Sequence, residues 1–231
     1  MSQLKKAYLI GYNTSLCVGW AVVLARVVQF LINKPANADY AGVYPLIKTV
    51  LLYSQTAALM EILHALVDLV RSPVATTFLQ VMSRIIVLYG ALEIGSVDVH
   101  RSWFLPQMLI AWSITEVIRY AFYTLSQVLD KQSMPAALTW LRYSTFTVLY
   151  PLGITGEIMC LYNALPYIKA REVYTLRMPN SINFAFDFYN AVWFGLLCVY
   201  PFGSYVMYTY MLGQRKKVLA GAAKPAAKKT E

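Results

Sequence analysis

Apolar residues fall along this chain in six long runs separated by short polar breaks. The runs cover about Tyr8–Ile32, Val43–Val70, Thr76–Gly95, Trp103–Leu129, Trp140–Leu165 and Phe184–Leu212. Each reaches the roughly 20 residues that an α-helix needs to cross a bilayer's hydrocarbon. The breaks carry turn chemistry at Asn33-Lys34-Pro35, Ser72-Pro73, Met134-Pro135 and Pro179-Asn180-Ser181. The pattern predicts an all-α polytopic membrane protein, with six transmembrane helices bundled around a cavity that faces the cytosol. Residues 1–212 form that domain, and residues 213–231 form a disordered, basic, cytosolic tail. The first run is too long for a signal-peptide core and lacks a small-residue cleavage site, so it reads as a retained helix. Tyr8, Trp103, Trp140 and Tyr210 fit an interfacial aromatic belt.

Composition supports the bilayer reading. The 231 residues are 58% hydrophobic and 13% charged, with mean hydropathy +0.50, whereas a soluble domain carries about 25% charge. The net charge of +9 suits an anionic leaflet or an anionic substrate. No basic stripe sits on a soluble fold, so nucleic acid is not an expected partner. Cys17, Cys160 and Cys198 are scattered in apolar sequence. They offer neither metal spacing nor a disulfide framework and read as small hydrophobes.

Positive charge sets the orientation. Lys5, Lys6, Arg71, Lys131, Arg215, Lys216, Lys217, Lys224, Lys228 and Lys229 would share one side; Lys34, Lys48, Arg101, Lys169, Arg171 and Arg177 would share the other. The excess puts both termini in the cytosol. Lys228 and Lys229 sit where a dilysine retrieval signal of endoplasmic-reticulum membrane proteins would sit, which agrees with that orientation.

Ionisable residues inside the runs are the main chemical signal. Glu61, Arg84, Glu116, Arg119 and Glu157 would each cost about 2.5–3.5 kcal/mol at a span centre. Together that is roughly 12 kcal/mol, as large as the whole stability of a typical protein at about 5–15 kcal/mol. A chain carrying that load pairs the charges, uses them, or both. Local pairs are available at Glu61/His64 and Glu116/Arg119, three residues apart on one helix face. Arg84 could bridge to Glu61, and Gln55, Gln80 and Ser83 could be interhelical hydrogen-bond glue. At about 1.5 Å per residue, Arg84, Arg142, Tyr150, His64, Arg119, Glu61 and Glu116 fall within about 15 Å of the cytosolic face, and Glu157 lies at about 25 Å.

The fifth run places Tyr150 and Glu157 seven residues apart, hence on one side of a helix and about 10 Å apart along its axis. Pro151 is expected to kink that helix, and Gly153 and Gly156 thin the wall beside it. From spacing alone this is equally a packing device of membrane helices.

The string Tyr150-Pro151-x-Gly153-x-x-x-Glu157 resembles the signature of the very-long-chain (3R)-3-hydroxyacyl-CoA dehydratases, also called protein-tyrosine-phosphatase-like proteins. Further strings resemble the family in order along the chain: Leu59-Met60-Glu61-Ile62-Leu63-His64, Gln80 to Arg84, Trp112 to Tyr120, Leu141-Arg142-Tyr143-Ser144 and Met211 to Lys216. Arg177 to Asn180 and Phe186-Asp187-Phe188 look like its plant branch. The resemblance implies a six-helix enzyme for the third step of fatty-acid elongation, which eliminates water from 3-hydroxyacyl-CoA to give trans-2-enoyl-CoA. It implies Tyr150 and Glu157 as catalytic residues, with no cofactor and no metal. Expected partners are acyl-CoA, the bilayer and the other elongase subunits: condensing enzyme, ketoacyl reductase and enoyl reductase.

A carboxylate out of water is a stronger base, which suits Glu157 for taking the C2 proton while Tyr150 donates to the leaving hydroxyl or to the enolate-like oxygen. The reverse assignment also fits the residues. Arg84, Arg119 and Arg142 are candidate partners for phosphates or the thioester, with Glu116 beside them, and Arg142 lies at the best depth for phosphate. A cysteine phosphatase is excluded, since none of the three cysteines follows a His or precedes an Arg at phosphate-loop spacing. A transporter would show an inverted repeat, and none is visible. A non-catalytic elongase scaffold remains an alternative, against which the intact Tyr150 and Glu157 speak.

Overall fold

The computed structural model describes residues 3–130 and 133–222. They are all-helical, apart from one isolated bridge between Leu176 and Phe186. The helices are α1 (Gln3–Asn33), α2 (Val43–Ala57), α3 (Leu59–Leu66), α4 (Val74–Val87), α5 (Val97–Arg101), α6 (Phe104–Val128), α7 (Ala136–Ser144), α8 (Phe146–Arg171), α9 (Phe188–Phe194) and α10 (Tyr200–Ala222). Two wide π turns, Leu88–Leu92 and Gly195–Val199, extend α4 and join α9 to α10.

Five segments are long and apolar enough to cross a membrane: Gln3–Asn33, Val43–Leu66, Val74–Leu92, Phe146–Arg171 and Phe188–Ala220. The remaining expected span, the fourth, forms α6. Its 25 residues give about 37 Å of helix, enough length to span. Its apolar character is diluted by Gln107, Glu116 and Arg119 because neighbouring helices, rather than lipid, cover it. Leu105, Met108, Leu109, Trp112, Glu116, Arg119 and Tyr120 are all buried on it, the three- and four-residue spacing of a single stripe. α6 lies between α1 and α8, its two principal packing partners. On α1 the matching stripe is Leu9, Asn13, Leu16, Trp20, Val23 and Val27.

Helices occupy each of the six expected runs, but their interiors differ. The second run is two helices, broken at Ala58. In the fifth the break falls at Thr145, while the helix continues through Pro151. The Thr145 and Thr147 hydroxyls bond back to the carbonyls of Leu141 and Ser144, each at 2.8 Å. Such back-bonding competes with the helical ladder and bends it. α8 also passes Pro166 and ends at Arg171, so the connection expected from Pro166 starts later than its proline suggested. The tail boundary expected at Gly213 falls inside α10, which runs on to Ala222 through good helix formers. Lys131, Lys224, Lys228 and Lys229, with the retrieval signal, lie outside the described residues.

α10 is the most loosely held element: none of its described side chains is fully buried, and Phe202 and Tyr205 are exposed. It touches the bundle along one edge, against α7 and α8.

Candidate active site

α8 and α6 approach closely because two glycines stand between them. A Cβ at Gly156 would lie 2.5 Å from Met108 Cβ and 3.0 Å from its Cα; one at Gly153 would lie 3.6 Å from Trp112 Cδ1. That approach brings the Trp112 indole to Glu157. Trp112 is 2% exposed. Trp20 packs edge-on against it, with ring centroids 6.4 Å apart, and the Arg84 guanidinium lies 5.3 Å from its ring. Its Nε1 donates to Glu157 Oε1 at 2.9 Å.

Glu157 is 6% exposed. Its other oxygen, Oε2, accepts from the Tyr200 hydroxyl at 3.0 Å. Tyr200 is the first residue of α10, directly after the second π turn. Four and eight residues further, Ser204 and Tyr208 share that face of α10. The Ser204 side chain is near the Tyr150 hydroxyl, and the Tyr208 ring lies 6.0 Å from the Tyr150 ring and 5.7 Å from that of Phe146. Tyr150 and Glu157 thus meet the same edge of the same helix.

A second polar cluster lies on α3, α4 and α6. Arg119 donates to both oxygens of Glu61, at 2.7 and 2.8 Å, and through Nε to Glu116 Oε2 at 2.7 Å. Arg84 pairs with Glu116 Oε1, and the Tyr120 hydroxyl donates to Glu61. The pair Glu116/Arg119 is the one expected from spacing. Arg84 bridges to Glu116 rather than to Glu61, and His64 turns from Glu61 to the Tyr8 hydroxyl at 2.8 Å. Both differences follow from helix rotation: α6 presents Arg119 to Glu61, and a guanidinium fork outcompetes an imidazole for a carboxylate. Ser83 bonds to the Gln80 carbonyl of its own helix at 3.1 Å, and Gln55 Nε2 is buried without a partner among the described residues, so neither is seen as interhelical glue there.

Among the candidate binding residues, Arg119 and Glu116 are therefore engaged with each other and with neighbouring charges. Arg84 stands between the ion cluster and Glu157. Arg142, on α7, has its guanidinium against the rings of Tyr123 and Tyr143, each at 5.7 Å, and shares the Tyr123 ring with Arg119. Its Nη2 donates to the Tyr123 hydroxyl at 3.3 Å. Arg215 reaches the same end of α7 through Ser144 Oγ at 3.3 Å. A cleft of about 620 Å³, lined by Arg26, Phe30, Lys34 and Leu46 among others, contains none of these residues.

Trp112, Tyr200, Ser204 and Tyr208 were not singled out as site residues from the sequence. The four-residue spacing of the last three in an otherwise apolar run is the signal that could have found them; for Trp112 it is its place at the head of the family-like string Trp112 to Tyr120.

The sequence pattern described as "Protein tyrosine phosphatase-like protein, PTPLA" matches residues 55–221. Among curated proteins, the chain is 46% identical over 221 residues to "Very-long-chain (3R)-3-hydroxyacyl-CoA dehydratase PASTICCINO 2A" of Oryza sativa subsp. japonica, covering 96% of each chain. It is 44% identical over 220 residues to PASTICCINO 2 of Arabidopsis thaliana, covering 95% of this chain and 96% of that one. It is 36% identical over 218 residues to "Very-long-chain (3R)-3-hydroxyacyl-CoA dehydratase 2" of Homo sapiens, covering 94% and 82%. No solved structure matches it.

Proposed function

Because the chain belongs to the protein tyrosine phosphatase-like (PTPLA) family, we propose that it is a very-long-chain (3R)-3-hydroxyacyl-CoA dehydratase. It removes water from the 3-hydroxyacyl thioester to leave a trans-2-enoyl-CoA, the third step of fatty-acid elongation. The observation that carries this reading is its similarity, over nearly its whole length, to dehydratases of rice, thale cress and human.

Glu157 is the base. Among the described residues its hydrogen bonds come from two neutral donors, Trp112 and Tyr200. Each oxygen keeps a second lone pair for the C2 proton. As the C2–H bond breaks, its electrons form the C2–C3 double bond and the C3–O bond breaks. Tyr150, beside Ser204, gives its proton to the leaving hydroxyl, which departs as water. The proton then on Glu157 restores the phenol, so the cycle is neutral and no cofactor takes part. Arg84, whose guanidinium lies against the Trp112 indole that bonds Glu157, is suited to the oxygen of the thioester as negative charge develops there. Arg142, at the α7 end, takes a phosphate of CoA.

Acyl-CoA is anionic at one end and apolar at the other, so it enters a bundle of six spans from the cytosolic face of the endoplasmic reticulum. Both termini lie on that side, and the condensing enzyme and the two reductases are neighbours in the membrane.

The test is direct. Protein purified in detergent is given (3R)-3-hydroxyacyl-CoA and the conjugated enoyl product is followed. Turnover that disappears in Glu157→Gln and Tyr150→Phe is expected. Failure of the unmodified protein to dehydrate the substrate overturns the activity, and persistence of activity in both variants overturns the site.

A further inference from the structure

Glu157 sits inside a membrane bundle without a cation hydrogen-bonded to it among the described residues. Its two oxygens are taken one each by donors from two different helices, Trp112 Nε1 on α6 at 2.9 Å and the Tyr200 hydroxyl on α10 at 3.0 Å. We propose that Trp112 and Tyr200 are positioning residues for the dehydration: together they fix the plane of the Glu157 carboxylate and the lone pair it turns toward C2. The inference rests on the dehydratase reading of the same site and adds two residues to it.

The two donors are placed by different means. Trp112 is buried between Trp20 and the Arg84 guanidinium, and an indole has one N–H and no acceptor, so its only polar role at that place is to donate. The glycines at 153 and 156 let α6 come near enough for that bond. Tyr200 is aimed by the π turn Gly195–Val199, which ends at the residue before it; such turns recur at functional sites because they shift one side chain without breaking the helix. A carboxylate on a flexible glutamate has several rotamers, and bonds to both oxygens from two different helices select one. Hydrogen bonds to a charged group are among the stronger ones. Misplacing a base by about 1 Å costs on the order of 10²-fold in rate.

The experiment uses the full chain in detergent with (3R)-3-hydroxyacyl-CoA. Tyr200→Phe and Trp112→Phe each remove one donor and keep a ring. Each is expected to lower kcat about 10- to 100-fold with KM within about twofold, since the aim of the base is used in the reaction rather than in binding. The same two changes are then made in Glu157→Asp, whose shorter carboxylate retreats from both donors. There each is expected to change kcat by less than about twofold. Values of kcat within twofold of the unmodified protein for both variants overturn the inference, as does an undiminished effect in the Glu157→Asp background or a change confined to KM. The donors lie on separate helices, so if melting shows one variant unfolded, the other still decides. If the unmodified protein turns over and Glu157→Gln does not, a null result for both donors removes the positioning role alone. If the unmodified protein does not turn over, the dehydratase reading falls and this inference falls with it.

Discussion

Glu116 and Glu157 are both buried carboxylates in the membrane bundle, and they are treated in opposite ways. Glu116 is flanked by the guanidiniums of Arg84 and Arg119, and Arg119 is itself shared with Glu61. Glu157 meets an indole and a phenol. A carboxylate locked between guanidiniums has its charge balanced and its lone pairs occupied, which suits it to joining helices. One held by neutral donors is fixed in direction and keeps its affinity for a proton. The ion cluster ties α3, α4 and α6 together; the Glu157 site draws its parts from α6, α8 and α10. α6 belongs to both, so a single central helix supports the scaffold charge and the proposed catalytic site.

The comparison is broken most sharply by exchanging roles. Glu157→Gln keeps the shape and both donors' neighbour but removes the proposed base, and kcat is expected to fall about 10²- to 10⁴-fold with the melting temperature in detergent little changed. Arg119→Ala should do the reverse. It leaves the buried Glu116 and the part-buried Glu61 short of a partner, for a loss of about 3–5 kcal/mol of stability, read by thermal or denaturant unfolding in micelles. Loss of activity in this variant should track loss of folded protein. If the refolded fraction is inactive, the ion cluster takes part in chemistry and the division fails.

A smaller effect is expected where the two regions touch. Gly156→Ala places a methyl group against the Met108 backbone. Forcing α6 from α8 by that much should cost about 1–3 kcal/mol and lengthen the Trp112–Glu157 bond, so kcat and stability fall together. Smaller still, Arg142→Ala should raise KM for acyl-CoA about tenfold with kcat unchanged, and should have no effect on a substrate truncated before the CoA phosphates. Equal effects on both substrates would argue against phosphate binding. The exposed pair Glu172–Arg177 is the control. Arg177 holds the Glu172 carboxyl below the usual carboxylate range by hydrogen bonding and charge, yet both side chains are in solvent. Its contribution is present above the ordinary carboxylate pKa and lost as pH falls through the lowered one. Arg177→Ala is expected to leave the unfolding transition at neutral pH unmoved within error.

The spans were legible because a bilayer demands about 20 apolar residues whatever surrounds them, so Tyr8–Ile32 and Thr76–Gly95 stand out before any packing is known. The pair Glu116/Arg119 was legible because helix geometry alone brings it together. Arg84–Glu116 and Tyr8–His64 were not, since they depend on how far each helix is rotated about its own axis. α6 illustrates the same limit: its polar residues dilute a membrane signal, and only its position between α1 and α8 explains why that is tolerated. Tyr150 and Glu157 could be placed on one side of a helix by counting. Which wall they would meet could not, because the tyrosines of the last run pass for interfacial anchors. The break at Thr145 was masked by Pro151, the stronger breaker by propensity.

The wide turn at Gly195–Val199 has a consequence for how this last helix can vary. A rod that is greasy on every side is indifferent to being spun in the bilayer, and its exchange of one apolar residue for another is close to silent. Removing one residue from the wide turn would advance everything beyond it by about 100°. Tyr200, Ser204 and Tyr208 would swing away in concert while the hydropathy profile stayed the same. The phase of the rod, carried by a single surplus residue, is the quantity that deletions and insertions here would disturb.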